Sequence, residues 1–383
     1  MCFAGVAFGS IHLPNTIMTR PHPVFWRALL ACFVLYSMFM TYLLLIPVYN
    51  ARQTLRMFDD TLGTPLPERS YGDDCSFFTP DHPTSYFANI SDAIFDVHFI
   101  AHFLGWWAKM IFMRDWYVAW VCSIGFELCE LSFRHWLPNF YECWWDHLLL
   151  DLFGCNFIGI ILGHYTLKYF GSNKVTWIYD SSAQGNSQNE SKKTGAVACQ
   201  TQMLTAAEKL KPAIFEKYEW ACLANIRRLA GVTIYVITCL AIDCNNFFLK
   251  ATLWVAPEHD LLKYRVLLWG LSAIAISKEW YEYVSNDYCH RLGPFAWVAF
   301  YTVSVEMLTV MKASEGKFTA PFPTFVKIMW TFIAIGYALL CYIALQNQWK
   351  ENQAKKNQKD FNPYNPDLDI IDHSGSSAQK KHK

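Results

Sequence analysis

Val24–Val48 reads VFWRALLACFVLYSMFMTYLLLIPV, and Arg27 is its one charged residue. A helix needs about 20 predominantly apolar residues to cross the hydrocarbon core of a bilayer, and this stretch meets that length. It lies too far into the chain, and runs too long, for a signal peptide, and no small-residue cleavage site follows it. Working outward, apolar runs suited to spanning recur at Ser91–Met113, Asp115–Phe133, Trp144–Phe170, Ala221–Ile242, Leu261–Ile276, Pro294–Met311 and Thr324–Leu345. Phe247–Val255 is too short to cross and is expected as a re-entrant or interfacial piece. Continuous apolar runs without alternation exclude a closed β-barrel. The expected fold class is therefore all-α, a polytopic integral membrane protein of about eight transmembrane helices with one re-entrant segment.

The composition of the 383-residue chain agrees. Charged residues make up 17%, against about 25% in soluble proteins. Aromatic residues contribute another 17%. Lys+Arg and Asp+Glu both number 32, so the formal net charge is zero. That excludes nucleic-acid binding as the main task and gives no long-range steering towards polyanions.

Loop charges suggest an orientation. In and beside Asn50–Ile90, the acids Asp59, Asp60, Glu68, Asp73, Asp74, Asp81 and Asp92 are set against only Arg52, Arg56 and Arg69. Lysines gather instead in Gly171–Trp220 and after Gln346. The positive-inside rule then puts both termini and Gly171–Trp220 in the cytosol, with Asn50–Ile90 outside or in a lumen. The chain divides into a cytosolic N-terminal segment (1–23), a transmembrane domain (24–346) with a polar cytosolic insert at 171–220, and a disordered cytosolic tail (347–383). Within the insert, Ser181–Thr194 lacks bulky apolar residues and is expected to be disordered. The terminal Lys380-Lys381-His382-Lys383 is similar to the dilysine signal that retrieves membrane proteins to the endoplasmic reticulum. The 13 cysteines are scattered without a C-x-x-C pair and read mostly as small apolar residues. Asn89-Ile90-Ser91 is a glycosylation sequon that abuts a span and is expected to be unused.

Ionisable groups at membrane depth are costly, and they normally face a protein interior or a water-filled cavity. They are dense between Asp96 and Asp151. His98 and His102 lie one helical turn apart, and Glu127 and Glu130 share a helix face. Arg134 and His135 follow, and Pro138 should stop that helix, with Asn139 as N-cap of the next. The next helix is expected to carry Glu142, Asp146 and Asp151. Up to five carboxylates thus converge from two adjoining helices, and without a cation they would repel one another. Pairing with Arg134, Lys109 and Arg114 is the plainer account of any single acid, but three basic groups cannot pair the whole set. Oxygen ligands without cysteine favour calcium or magnesium over zinc. No glutamate follows His98 in an H-E-x-x-H pattern, so the histidines read as core or catalytic groups rather than zinc ligands.

Phe126–Asn156, FELCELSFRHWLPNFYECWWDHLLLDLFGCN, resembles the signature region of the eukaryotic phosphatidylserine synthases of the base-exchange type, above all in L-P-N-F-x-E-C-W-W-D at Leu137–Asp146. Further similar stretches follow the family's order: Thr19–Arg27 (TRPHPVFWR), His102–Trp106 (HFLGW), Asn245–Lys250 (NNFFLK) and Cys289–Gly293 (CHRLG). The resemblance runs from Thr19 to about Leu345. It implies an integral enzyme of the endoplasmic reticulum or its mitochondria-associated region. Such an enzyme replaces the choline or ethanolamine of phosphatidylcholine or phosphatidylethanolamine with L-serine, using calcium and no nucleotide hydrolysis. The absence of a P-loop is consistent with this. The D-G-x-x-A-R…D-x-x-x-D pattern of CDP-alcohol phosphatidyltransferases is also missing, which argues against the CDP-diacylglycerol route to the same product.

Base exchange must neutralise phosphate charge, deprotonate the serine hydroxyl and protonate the departing alcohol. A divalent ion suits the first task, and a histidine titrating near neutral pH suits the others. By the resemblance, His102 is the candidate general base. Glu142, Asp146 and Asp151, with Glu130 and Glu127, are the candidate calcium ligands, and Asn139, His135 and Asn156 candidate substrate-binding residues. For His135 a capping role, and for Asn156 packing in a helix interior, explain the residue equally well. The metal cluster is expected on the lumenal side. The family links its R-P-H-P stretch to inhibition by phosphatidylserine, so Arg20 and His22 are candidate regulatory residues, with positive-inside anchoring as the alternative.

The chain also departs from the family pattern. Family members carry two further spans upstream of R-P-H-P, where this chain has about twenty residues. Asp243 stands where the family has glutamate, one methylene longer, which puts a site role there in doubt. The competing functions are an intramembrane metal-dependent lipid hydrolase and a lipid or ion transporter. Clustering of the acids in one half of the chain, without an inverted repeat, favours a localised active site. The donor head group, the choice between direct displacement and a covalent intermediate, and a homodimer all stay open.

Overall fold

The computed structural model describes residues 2–66, 72, 74–80, 86–94, 97–170, 172–174, 215–256 and 259–361. Ser181–Thr194, Asp96 and the terminal lysines lie outside them, as do the side chains of His98 and Asn139. Helices dominate: α1 (Cys2–His12), α2 (Pro23–Leu45), α3 (Val48–Arg56), α4 (Ala88–Ile94), α5 (Val97–Met113) and α6 (Trp116–Phe133). A π-helical stretch (Asp146–Asn156) then runs straight into α7 (Phe157–Tyr169), followed by α8 (Ile226–Leu253), α9 (Asp260–Ser285), α10 (Pro294–Ala313) and α11 (Thr324–Phe361). Three-residue strands β1 (Ser172–Lys174) and β2 (Phe215–Lys217) pair in parallel.

Local chemistry fixes the boundaries. Pro23 opens α2, and His22 caps it by accepting the Val24 N–H at 3.2 Å. Asp115 accepts from Val118 N–H at 2.9 Å to start α6, and Asn225 from Arg228 N–H at 2.8 Å to start α8. The expected span at 221–242 therefore begins later and runs further. Phe247–Leu253 is not a separate re-entrant piece: it forms the last turns of α8, which end where Trp254 turns left-handed at φ 58°. No Gly or Pro interrupts Ile242–Leu253, so the helix has no reason to break.

Each of the eight expected spans falls on helix, with Ser91–Met113 shared between α4 and α5 and Trp144–Phe170 between the π-helix and α7. Among the described residues, Pro23–Leu45, Asp146–Tyr169, Ile226–Leu253, Pro294–Ala313 and Thr324–Asn357 are long and apolar enough to cross a membrane. Residues Phe99–Met113 of α5 form a shorter apolar helix. Ionisable residues interrupt the apolar runs of α6 and α9, including Glu127, Glu130 and Arg265. The chain is a multi-pass membrane protein. Little of the apolar stretch of α11 is buried against the rest of the chain, so this helix offers most of its surface to lipid.

Three buried groups hold the bundle. Trp26, Leu30 and Phe33 of α2 pack with Trp269 of α9 and Phe295 of α10. Met40 and Leu43 meet Leu137, Phe140, Phe248 and Val305. Trp106, Met110, Phe126, Ile160 and Tyr235 form the third. A polar node crosses this interior: Arg265 Nη2 lies 2.6 Å from Glu306 Oε2, and Tyr36 donates to Oε1 of the same carboxylate. Each charge is compensated locally, as burial requires.

Connections segregate to two ends. At one, Arg52 donates to the carbonyls of Thr252 and Ala313, and Gly63 N–H to the carbonyl of Trp254. At the other, Trp220 donates to Met113 O, Arg228 to Ser285 O and Ile226 N–H to Gln348. Helices that alternate in direction between two such ends make a spanning bundle.

Candidate active site

The site is built where α5, α6 and the hairpin into α7 meet. Contrary to expectation, Asn139 does not cap the following helix. Pro138–Phe140 is a single 3-10 turn, Tyr141–Cys143 is irregular, and Trp145 precedes the π-helix without a side-chain cap. Glu142 therefore stands before the helix rather than on it. The wider turn brings the five-residue spacing of Asp146, Asp151 and Asn156 closer to one face than an α-helix would, where five residues drift by about 140°.

Glu127 and Glu130 of α6 are both buried, at 7% and 5% exposure. The His147 imidazole lies between the acids. Its Nδ1 is 3.2 Å from Glu127 Oε2, 3.4 Å from Glu130 Oε2 and 4.0 Å from Glu142 Oε2. Two groups of ligand atoms, each within 4.8 Å, share this imidazole: Glu127, His147 and Asp151, and Glu130, Glu142 and His147. Asp146 is half-buried nearby but joins neither group. His147 was missed from the sequence, although Asp-His at 146–147 and the four-residue step to Asp151 were visible signals.

The basic residues expected as partners for these acids go elsewhere. Lys109 pairs with Asp243 at 2.7 Å, and the Arg134 guanidinium lies over the rings of Tyr141 and Phe325. Arg114 lies over the ring of Tyr218. Among the described residues no Lys or Arg forms an ion pair with Glu127, Glu130, Glu142, Asp146 or Asp151. Burial first, then the charge of Glu130, pushes the Glu142 carboxyl, outside the spans, up to about 8. A buried acid set with one imidazole for counter-charge fits a divalent cation bound mainly by oxygen.

A hydrogen-bonded chain joins this cluster to His102. Asn156 is fully buried, and its amide nitrogen donates to Glu127 Oε1 and Ser123 Oγ, both at 2.9 Å. That fixes the amide orientation and turns Oδ1 towards His102 Nε2, at 2.7 Å. Oδ1 only accepts, so Nε2 carries the proton. The Trp106 indole N–H also points at this nitrogen, from 3.1 Å; it donates there only in the other tautomer, so the two contacts exclude each other and the shorter one sets the assignment. The neutral tautomer of His102 then keeps its lone pair on Nδ1. His102 also lines a cavity of about 310 Å³ with Trp106, Lys109, Phe126 and Asp243.

Other candidates lie apart. Both nitrogens of His135 are buried without a partner among the described residues, and its ring packs against Trp136 and Phe322. Arg20 and His22 are exposed at the start of α2, the Arg20 carbonyl accepting from the Trp26 indole at 2.7 Å. A disulfide joins Cys75 to Cys143, 68 residues apart, which corrects the reading of those two cysteines as small apolar residues. The bond ties the acidic loop to the hairpin beside Glu142, and Trp145 donates to the Cys75 carbonyl at 3.2 Å. Sequence spacing alone does not pair cysteines so far apart.

Fold and site together define a membrane-embedded enzyme with buried acid–base groups. A family model described as Phosphatidyl serine synthase matches residues 21–314. A protein of Arabidopsis thaliana named CDP-diacylglycerol--serine O-phosphatidyltransferase 1 is 37% identical over 346 residues, covering 90% of this chain and 78% of that protein. Phosphatidylserine synthase 2 of Danio rerio is 34% identical over 338 residues, covering 88% and 71%. The human protein of the same name is 34% identical over 327 residues, covering 85% and 64%. The chain belongs to the phosphatidylserine synthase family, and it is a phosphatidyltransferase that makes phosphatidylserine.

Proposed function

We propose that the enzyme works by calcium-dependent base exchange, replacing the choline or ethanolamine of a phospholipid with L-serine in the endoplasmic reticulum membrane. The observation that carries this reading is the chain from His102 through Asn156 and Glu127 to the carboxylate cluster. His102 Nδ1 takes the proton of the serine hydroxyl as its oxygen attacks phosphorus. The bond from phosphorus to the choline or ethanolamine oxygen breaks, and the imidazolium returns the proton to that alcohol. One phosphodiester replaces another, so no nucleotide is consumed. Glu127, Glu130, Glu142 and Asp151 would hold calcium, with Asp146 in reserve close by. Bound there, calcium supplies positive charge to the phosphoryl oxygens. Asn156 keeps the base in one tautomer, as a supporting residue does around many catalytic histidines.

The second reading keeps the product and changes the donor. The plant relatives are named for CDP-diacylglycerol, whereas this chain lacks the D-G-x-x-A-R…D-x-x-x-D pattern. Purified protein is to be given labelled L-serine with phosphatidylcholine, phosphatidylethanolamine or CDP-diacylglycerol, with and without calcium. Labelled phosphatidylserine from either phospholipid, lost in His102→Ala and on chelation, is expected. Product from CDP-diacylglycerol alone sinks base exchange.

A further inference from the structure

Lys109 and Asp243 take no part in the carboxylate cluster, yet they sit beside its base. Lys109 lies two turns beyond His102 on α5, and Asp243 belongs to α8. Their ion pair is 2.7 Å long, with side chains 18% and 24% exposed. The Lys109 ammonium rests 3.9 Å above the centre of the Trp106 ring and 5.6 Å from that of Phe126. A brace between two helices does not need charge, since apolar side chains of similar volume would serve at lower desolvation cost. What sets this pair apart is its place in the wall of the cavity that also contains His102.

The pair has bonding capacity left. An ammonium offers three donors, and among the described residues only one is used, on Asp243 Oδ2. Asp243 Oδ1 has no partner among the described residues. A free donor and a free acceptor thus stand side by side, the complement of the carboxylate and ammonium that an α-amino acid carries on one carbon. Trp106 sets the distance to the chemistry. Its face carries Lys109, and its indole N–H lies 3.1 Å from His102 Nε2, so one ring separates the ion pair from the His102 imidazole, whose other nitrogen, Nδ1, is the accepting one.

We infer that Lys109 and Asp243 form the L-serine subsite, Lys109 holding the carboxylate and Asp243 the ammonium, with the hydroxyl directed to His102. This rests on the reading of His102 as the base in serine transfer. It also separates the incoming from the departing alcohol. Choline and ethanolamine have no carboxylate for Lys109, so the subsite favours serine as acceptor over the groups it displaces. The doubt that the shorter Asp243 raised from the sequence is met by Lys109, whose long side chain spans the gap.

Competition on the unmodified enzyme tests the subsite first. L-Serinamide keeps the ammonium and hydroxyl but lacks the carboxylate, and it should compete with labelled L-serine at least about tenfold more weakly than unlabelled serine does. Lys109→Met should raise the KM for serine about 10- to 100-fold, leave the phospholipid KM unchanged and abolish the preference for serine over serinamide. Lys109→Arg should restore most of that preference, and Asp243→Asn should weaken serine and serinamide alike. Equal competition by serine and serinamide on the unmodified enzyme overturns the subsite, as does a Lys109→Met enzyme with an unchanged serine KM. If Lys109→Met does not fold, the serinamide comparison decides alone. An unmodified enzyme that makes no phosphatidylserine from serine would instead fail the reading of the reaction itself.

Discussion

At the scale of single residues, the site turns on which atom of each polar group faces which neighbour. Glu127 orients the Asn156 amide, and the amide then settles which nitrogen of His102 is protonated. Asn156→Asp keeps the shape but puts an acceptor where a donor stood between Glu127 and Ser123. It should lower kcat about 10- to 100-fold while serine KM moves little, as steady-state kinetics on folded protein would register. Glu142 gives a pH prediction. Its carboxyl is raised from an ordinary 4.5 to about 8 by burial and by Glu130, so the folded, cation-free protein binds more protons than the unfolded chain between those values. The stability this contributes is present below 4.5 and is lost as pH rises towards 8. Melting temperatures of chelated protein should therefore fall from pH 5 to pH 8 by way of Glu142, Glu142→Gln should flatten the slope, and calcium should restore stability most at the alkaline end. An unchanged slope in Glu142→Gln would assign the effect to other groups.

At the scale of elements, the pairing of α5 with α7 aligns His102 with Asn156. Gly159 and Gly163, four residues apart, let the helices touch: a Cβ on Gly159 would lie 2.7 Å from Phe103 O, and one on Gly163 would lie 2.6 Å from Met110 Cβ. Gly163→Val should destabilise the protein by about 1–3 kcal/mol and lower kcat more than either KM, by spreading the base from its amide partner. Thermal unfolding alongside kinetics would check both. The apolar runs of α2 and α10 and the glutamate pair of α6 were legible in the sequence, because apolar length and helical spacing are local properties. The π-helix was not legible, since no residue from Asp146 to Asn156 announces a wider turn. That loss misplaced Glu142 on a helix and gave Asn139 a cap it does not form. His147 escaped because an imidazole among acids reads as neutral until the fold surrounds it with Glu127, Glu130 and Glu142. The Cys75–Cys143 bond escaped because its partners are brought together only by the hairpin.

At the scale of the whole molecule, zero net charge conceals a separation along the sequence. Acids fill the loop after α3, lysines the insert and tail, and the disulfide lies on the acid-rich end with the hairpin that carries Glu142. Two independent physical arguments converge there. Positive charge is retained on the cytosolic face during insertion, and disulfides persist in oxidising compartments such as the endoplasmic reticulum lumen. On the proposed endoplasmic reticulum location, both would put the Cys75 end of the bundle in the lumen, and the proposed cation site would then draw on lumenal rather than cytosolic calcium. The Cys143→Ser variant leaves Cys75 as a half-buried thiol on that loop. In sealed vesicles with the cytosolic face outward, a membrane-impermeant maleimide should label this thiol only after the vesicles are opened. In unmodified protein, Cys75 should stay unlabelled even in opened vesicles until a reductant is added. Labelling of Cys75 in sealed vesicles would invert the topology and place the cation site on the cytosolic side, whatever the fate of the base-exchange reaction.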